Sequence, residues 1–273
     1  MLKLREGEYL PDVGIDYPES DPYVGLVHYE KLRDLKFDES YPFLDDSLWF
    51  KLHQAGDYFL CFVILRIANA VKFGIRFRGR DVLRRYRREF RKGIVSICNH
   101  CYPWDGAAVA QALRHRLWLP MLSEHFNGPE YYHLKYFGGI PLADGSFGAQ
   151  KKFNEAFDTI NERGGWIHVF PEARNWLFYK PIRPFKRGAF TMAYKYGRPI
   201  VPLCISYRKR TGIYRLFAPP EVPLLTVTIG EPLFPDLSKP RKQEVDRLLK
   251  ESHARMCSMA GILENPWPET VNE

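Results

Sequence analysis

The segment Gly93-Ile94-Val95-Ser96-Ile97-Cys98-Asn99-His100-Cys101-Tyr102-Pro103-Trp104-Asp105 sets the reading of the whole chain. Its first six residues are apolar or small and too few for a helix, so they read as a short buried strand. Polar residues then gather at the strand's carboxyl end, and Pro103 to His115 reads as helix. The same alternation recurs downstream. Phe147–Arg163 reads as a helix stopped by Gly164-Gly165, and Trp166–Phe170 as a strand. Arg187–Tyr196 reads as a helix closed by Gly197, followed by strands at Pro199–Ser206 and Leu224–Ile229 and a C-terminal helix at Lys239–Met259. Shorter signals place strands at Gly74–Arg80 and Leu117–Leu122 and a helix at Tyr131–Phe137. Strands separated by helices predict an α/β fold with a mixed, mostly parallel central sheet flanked by helices.

Upstream of this repeat the chain changes character. Met1 to Ser47 reads as an irregular arm with prolines at 11, 18, 22 and 42, and Ser47–Val71 reads as helix. Within that helix, Tyr58–Val71 is strongly apolar but is interrupted by Arg66, and it is shorter than the roughly 20 residues needed to span a bilayer. Two readings remain: a buried core helix, or a helix lying in a membrane interface with Arg66 reaching to headgroups. A basic run follows, Arg84, Arg85, Arg87, Arg88, Arg91 and Lys92, which suits a solvated face or an anionic membrane surface. The expected division is an N-terminal arm and membrane-associating helix over 1–71, then one α/β domain over 72–273.

The formal net charge of +8 favours an anionic partner. With no zinc-finger spacing and no RNA-binding aromatic signature, nucleic acid is not the expected one. The five cysteines, Cys61, Cys98, Cys101, Cys204 and Cys257, are an odd number in a large chain, which predicts free thiols. Cys98, His100 and Cys101 lie close together, but no second cysteine pair follows at zinc-site spacing, so no metal is expected.

The chemistry-bearing pair in the opening segment is His100 and Asp105. On one continuous helix, residues five apart sit about 140° apart and would not meet. Proline suits the first helical position. Placing Pro103 there leaves His100 in the turn and Asp105 at the third helical position, able to point back. A neutral imidazole can take a proton from a hydroxyl when a carboxylate on its other nitrogen fixes the tautomer. The alternative is an ordinary strand–helix turn with an acidic helix start. No G-x-S-x-G elbow supplies a serine nucleophile.

Asn99-His100 followed by Asp105, after a buried strand, resembles the first motif of the glycerolipid acyltransferase superfamily. Later segments resemble its other blocks in order. These are Phe137-Gly138-Gly139-Ile140-Pro141-Leu142, Phe170-Pro171-Glu172-Ala173-Arg174, Phe185-Lys186-Arg187-Gly188-Ala189-Phe190 and Val201-Pro202-Leu203-Cys204-Ile205. The resemblance covers roughly residues 72–230. It implies transfer of a fatty acyl group from acyl-CoA or acyl carrier protein to a hydroxyl of a lysophospholipid or related lipid. Attack is direct, His100 is the base with Asp105 as its partner, and no cofactor or metal is used. It also implies a peripheral or monotopic place on the cytoplasmic face of a membrane. Two alternative readings stand beside it: a non-catalytic membrane- or lipid-binding protein on the same fold, and an acyl-thioester hydrolase.

Two positions depart from the family pattern. Asp144 stands where the second block places an arginine, and Ala173 replaces the glycine of the third. Expected substrate-binding residues are Glu172, Arg174, Lys186, Arg187, Gly138 and Gly139. Glu172 could meet acceptor hydroxyls, orient neighbouring arginines or simply pair with Arg174 or Arg183. The glycines would either let backbone approach substrate or form a simple turn before a strand. Backbone amides near Asp105–Gly106 are one possible set of oxyanion donors.

Overall fold

The structure is a computed structural model that describes residues 1–26 and 30–271. In chain order it runs β1 (Lys3–Leu4), α1 (Leu48–Phe62), α2 (Ile64–Phe73), β2 (Arg76–Arg78), α3 (Asp81–Arg85), β3 (Val95–Ile97), α4 (Asp105–Leu113), β4 (Leu119–Met121), α5 (Ser123–Phe126) and α6 (Tyr131–Phe137). It continues with β5 (Gly139–Pro141), α7 (Phe147–Glu162), β6 (Ile167–Val169), α8 (Gly188–Tyr196), β7 (Ile200–Arg208), β8 (Leu224–Ile229), α9 (Arg241–Met259) and β9 (Ile262–Glu264).

The main sheet has the order β2-β8-β7-β3-β6. All neighbours are parallel except β7 and β8, which run antiparallel. The parallel pair β4–β5 extends the sheet through a bridge between Trp118 and Ile167. The predicted mixed, mostly parallel sheet is therefore the observed one.

β7 shows why the strands read as continuous apolar runs. Ile200 and Cys204 enter one core with α7, α8 and α9, whereas Val201, Leu203, Ile205 and Tyr207 enter the other with α1, α2 and α4. Both faces of the sheet are covered, so both faces of the strand are apolar. α4 is buried almost throughout, and its alanines at 107, 108, 110 and 112 let it lie close against the sheet.

The structure departs from the sequence expectation in several places. The stretch 47–71 is two helices, because the backbone turns at Val63 (φ −107°, ψ −67°). The turn lets α1 lean on α6 while α2 leans on α4. The short strand β5 agrees with the reading of Gly138-Gly139 as a turn before a strand. The arm is not wholly irregular: β1 pairs antiparallel with β9, and Phe37 and Phe43 are buried in the core beside α7.

Candidate functional site

The site lies at the carboxyl ends of β3 and β6, where open α/β sheets gather ligands. Asn99 ends β3 by bonding across to β7. Its Nδ2 donates to the Ile205 carbonyl at 3.0 Å, and its Oδ1 accepts the Ile205 N–H at 2.8 Å. This clamp replaces ladder bonds at the point where the chain leaves the sheet, and it delivers His100 to the sheet edge.

His100 Nδ1 donates to Asp105 Oδ2 at 2.6 Å. The same oxygen accepts the Cys101 N–H at 3.3 Å, and Oδ1 accepts the Gly106 N–H at 2.8 Å. A carboxylate so held keeps the proton on Nδ1 and orients the ring. Nε2 then remains for an incoming hydroxyl, and it has no protein partner among the described residues. The ring stacks on Phe170 at 4.2 Å with a 15° interplanar angle.

The route to this pairing differs from the one expected. Trp104 is the N-cap, and Asp105 is the first helical residue rather than the third. Tyr102 to Trp104 form the turn, closed by the Asp105 N–H on the Tyr102 carbonyl at 3.2 Å. A further correction follows from these bonds. The Asp105 and Gly106 amides are both occupied, so they are not free donors for an oxyanion.

A second set of contacts fixes the backbone of the turn. Glu172 Oε2 accepts the His100 N–H at 2.9 Å and the Arg183 guanidinium at 3.0 Å, while Oε1 accepts the Arg183 N–H at 2.9 Å. The His100 carbonyl accepts the Trp176 N–H, and the Cys101 carbonyl accepts that of Phe178. Arg183 lies over the Trp176 ring at 4.5 Å and donates to the Pro22 carbonyl. From α2, Asn69 accepts from the Tyr102 hydroxyl and donates to Gln111 on α4.

The other expected binding residues separate into groups. Glu172 is only 2% exposed and faces inward, so it is an anchor for the turn rather than a contact for substrate. Ala173 at φ 63° turns the chain there, sending Glu172 inward and Arg174 outward. Arg174 pairs with Glu124, and Lys186 lies over the Tyr23 ring at 4.3 Å. Arg187 turns away to Asp246 on α9 at 2.6 Å. Gly138 and Gly139 serve a close backbone crossing. A Cβ on Gly138 would meet the Leu117 carbonyl at 2.1 Å, and one on Gly139 would meet that of Leu134 at 2.8 Å. Neither glycine lines the pocket. Asp144 caps a turn before α7 by accepting the Ser146 N–H at 2.9 Å.

His100 opens onto a cavity of about 250 Å³ walled mainly by apolar side chains, among them Met121, Leu122, Leu142, Phe153, Val169 and Met192. Lys186 and His125 supply its polar edge. Burial pushes the His125 imidazole down to about 4, against the pull of Glu124, so the ring is neutral at physiological pH. Sequence reasoning missed His125 because it stands outside the recognisable motifs. Of the two partners the sequence offered for Glu172, the structure selects Arg183, because Arg174 turns outward to Glu124.

His168 sits behind this wall on β6. Its Nδ1 meets Ser96 Oγ at 2.9 Å, and its Nε2 is buried without a hydrogen-bond partner among the described residues. Burial, reinforced by His100, lowers it from 6.5 to about 3. The unfolded chain therefore binds a proton that the folded protein refuses. The resulting stability is complete above about pH 6.5 and is lost as the pH falls toward about 3. Between pH 7 and 5 this group should remove about 2 kcal/mol of stability. Urea unfolding of native protein and His168→Gln at both pH values checks this: the variant should lose less on acidification.

Residues 74–206 match the family model described as Acyltransferase. Among solved structures, a remote likeness is found to the crystal structure of the 1-acyl-sn-glycerophosphate (LPA) acyltransferase, PlsC, from Thermotoga maritima. The identity is 16% and the TM-score 0.38, covering 77% of this chain and 96% of that one. No curated protein matches the chain.

Proposed function

From the premise that residues 74–206 belong to the glycerolipid acyltransferase superfamily, we propose that the chain moves a fatty acyl group from acyl-CoA or acyl carrier protein to a hydroxyl of a lysophospholipid or related lipid. The observation that carries this reading is a histidine held by a carboxylate at the mouth of an apolar cavity. Nε2 of His100 takes the acceptor's hydroxyl proton as the oxygen attacks the thioester carbonyl. The carbon–sulfur bond breaks, and the imidazolium returns the proton to the departing thiolate. Asp105 stabilises the imidazolium between the two transfers. Met121, Leu122, Val169 and Met192 offer the acyl chain an apolar wall.

Direct transfer is favoured over an acyl-enzyme. The nearest thiols, Cys98 and Cys101, are fully buried, and burial pushes both far above the ordinary cysteine value. They stay protonated and away from the cavity, so neither offers a thiolate.

The same reading places the protein peripherally at the cytoplasmic face of a membrane, with residues 1–71 serving as arm and anchor. Among the described residues no helix is long and apolar enough to cross a bilayer. Instead, α1 and α2 expose Leu48, Trp49, Leu52, Phe59, Ile64 and Ile67 at helical spacing. Such a stripe suits shallow insertion, with nearby arginines and lysines meeting anionic headgroups.

The test of the activity is an incubation with labelled long-chain acyl-CoA and mixed lysolipids, followed by thiol titration and identification of the labelled lipid. Acceptor-dependent thiol release with a new diacyl product is expected. Equal release without acceptor would show a hydrolase, and lipid binding without turnover a non-catalytic protein. The anchor is tested separately. Phe59→Glu, at a position 65% exposed, should weaken co-sedimentation with anionic vesicles. The expected loss is about tenfold or more from the forfeited apolar burial. Turnover of a short, water-soluble donor and acceptor should be retained.

A further inference from the structure

The lips of the cavity carry an ion pair that the acyl-transfer chemistry does not use. Glu124 lies on α5 directly before His125, and Arg174 directly follows Ala173; both His125 and Ala173 line the cavity. The Glu124–Arg174 pair thus joins one lip to the other. Its side chains are 47% and 30% exposed, so it stands in the solvent-filled mouth rather than in the core.

The nearby arginines are also engaged. Arg183 is held by Glu172 and Arg187 by Asp246. Lys186 is the lysine or arginine that lines the cavity, and His125 beside it is neutral at physiological pH. Arginine grips phosphate best through its planar fork, which matches two oxygens at once. At this mouth Arg174 already donates from one nitrogen of its fork to the Glu124 carboxylate, and that carboxylate offsets its charge and would repel a second anion.

Resting on the acyl-transfer reading, we propose that Glu124 determines the charge class of the acceptor. By occupying Arg174, it turns the site away from phosphate monoesters and toward acceptors that are uncharged or carry a single negative charge. A monoester bears about −1.5 to −2 at pH 7 and needs several donors, whereas a monoanionic diester bears less charge and a plain hydroxyl none.

The test uses the full chain, one acyl-CoA and three acceptors in identical mixed micelles: 1-acylglycerol 3-phosphate, lysophosphatidylglycerol and monoacylglycerol. For the native protein, kcat/KM with the monoester should fall about tenfold or more below that with the better of the other two. Glu124→Gln frees Arg174 and should raise monoester kcat/KM by about fivefold, the scale of a partly exposed charge interaction. It should change the other two by less than about twofold. Adding Arg174→Gln should abolish the gain. Native preference for the monoester, or an unchanged acceptor ratio in Glu124→Gln, overturns the inference alone. Absence of transfer to every acceptor by both proteins overturns the acyl-transfer reading and this inference with it.

Discussion

Replacing His100 with alanine is expected to reduce acyl transfer by about three to four orders of magnitude while the protein remains folded. The side chain is partly exposed at the cavity mouth and stacks one face on Phe170. Its removal takes away the group proposed to accept the hydroxyl proton. His125, the other imidazole at the mouth, is held down near 4 by burial. Asp105→Asn should cost about two to four orders of magnitude by a different route. The amide can no longer stabilise the imidazolium, and the Cys101 and Gly106 N–H groups lose a charged acceptor. Steady-state thiol release checks both variants, with circular dichroism and urea unfolding to establish the fold. Turnover of His100→Ala within about tenfold of native would sink the assignment of His100 as base.

The second large effect concerns stability. Glu172→Ala should destabilise the protein by about 3–5 kcal/mol. The substitution strands the Arg183 guanidinium, whose side chain is 1% exposed, without its carboxylate. It also frees the His100 N–H that Glu172 accepts. For a chain of this size the expected fall in thermal midpoint is on the order of 10 °C. Activity per folded molecule should fall as well, because the turn that presents His100 loses its anchor. The pair Glu172→Leu with Arg183→Met separates the two consequences. It removes both buried charges together and should recover much of the stability, as apolar replacements of buried ion pairs often do. It cannot restore the bond to the His100 amide, so turnover should stay low. A midpoint shift below about 2 °C for Glu172→Ala would show that the buried pair is not holding this loop.

Much of this architecture was readable from local pattern. The apolar run 94–98, the alanine-rich helix after it and the glycines at 164, 165 and 197 all report on their immediate neighbours along the chain. Helix and strand periodicity, and the stops between them, are interactions of short range, so they survive in the linear sequence. The pairing of His100 with Asp105 was also legible, because five residues of turn suffice to bring the two side chains together. Its details were not. The position of Trp104 as the cap depends on the hydrogen bond from Asp105 to Tyr102, not on the preference of Pro103 for a helix start.

Local order, the α/β alternation and the His100–Asp105 pair were therefore written into neighbouring residues. The roles of Glu172, Arg174, Gly138 and Gly139 were settled by contacts far apart in the chain. Glu172 faces a backbone amide 72 positions away, Arg174 a carboxylate 50 positions away, and Gly138 a carbonyl on a separate strand connection. A charged side chain does one thing when solvent reaches it and another when the fold seals it against a partner. Burial is a property of the packed chain, so residue type and spacing could name these positions without telling which would face the cavity and which would hold it together.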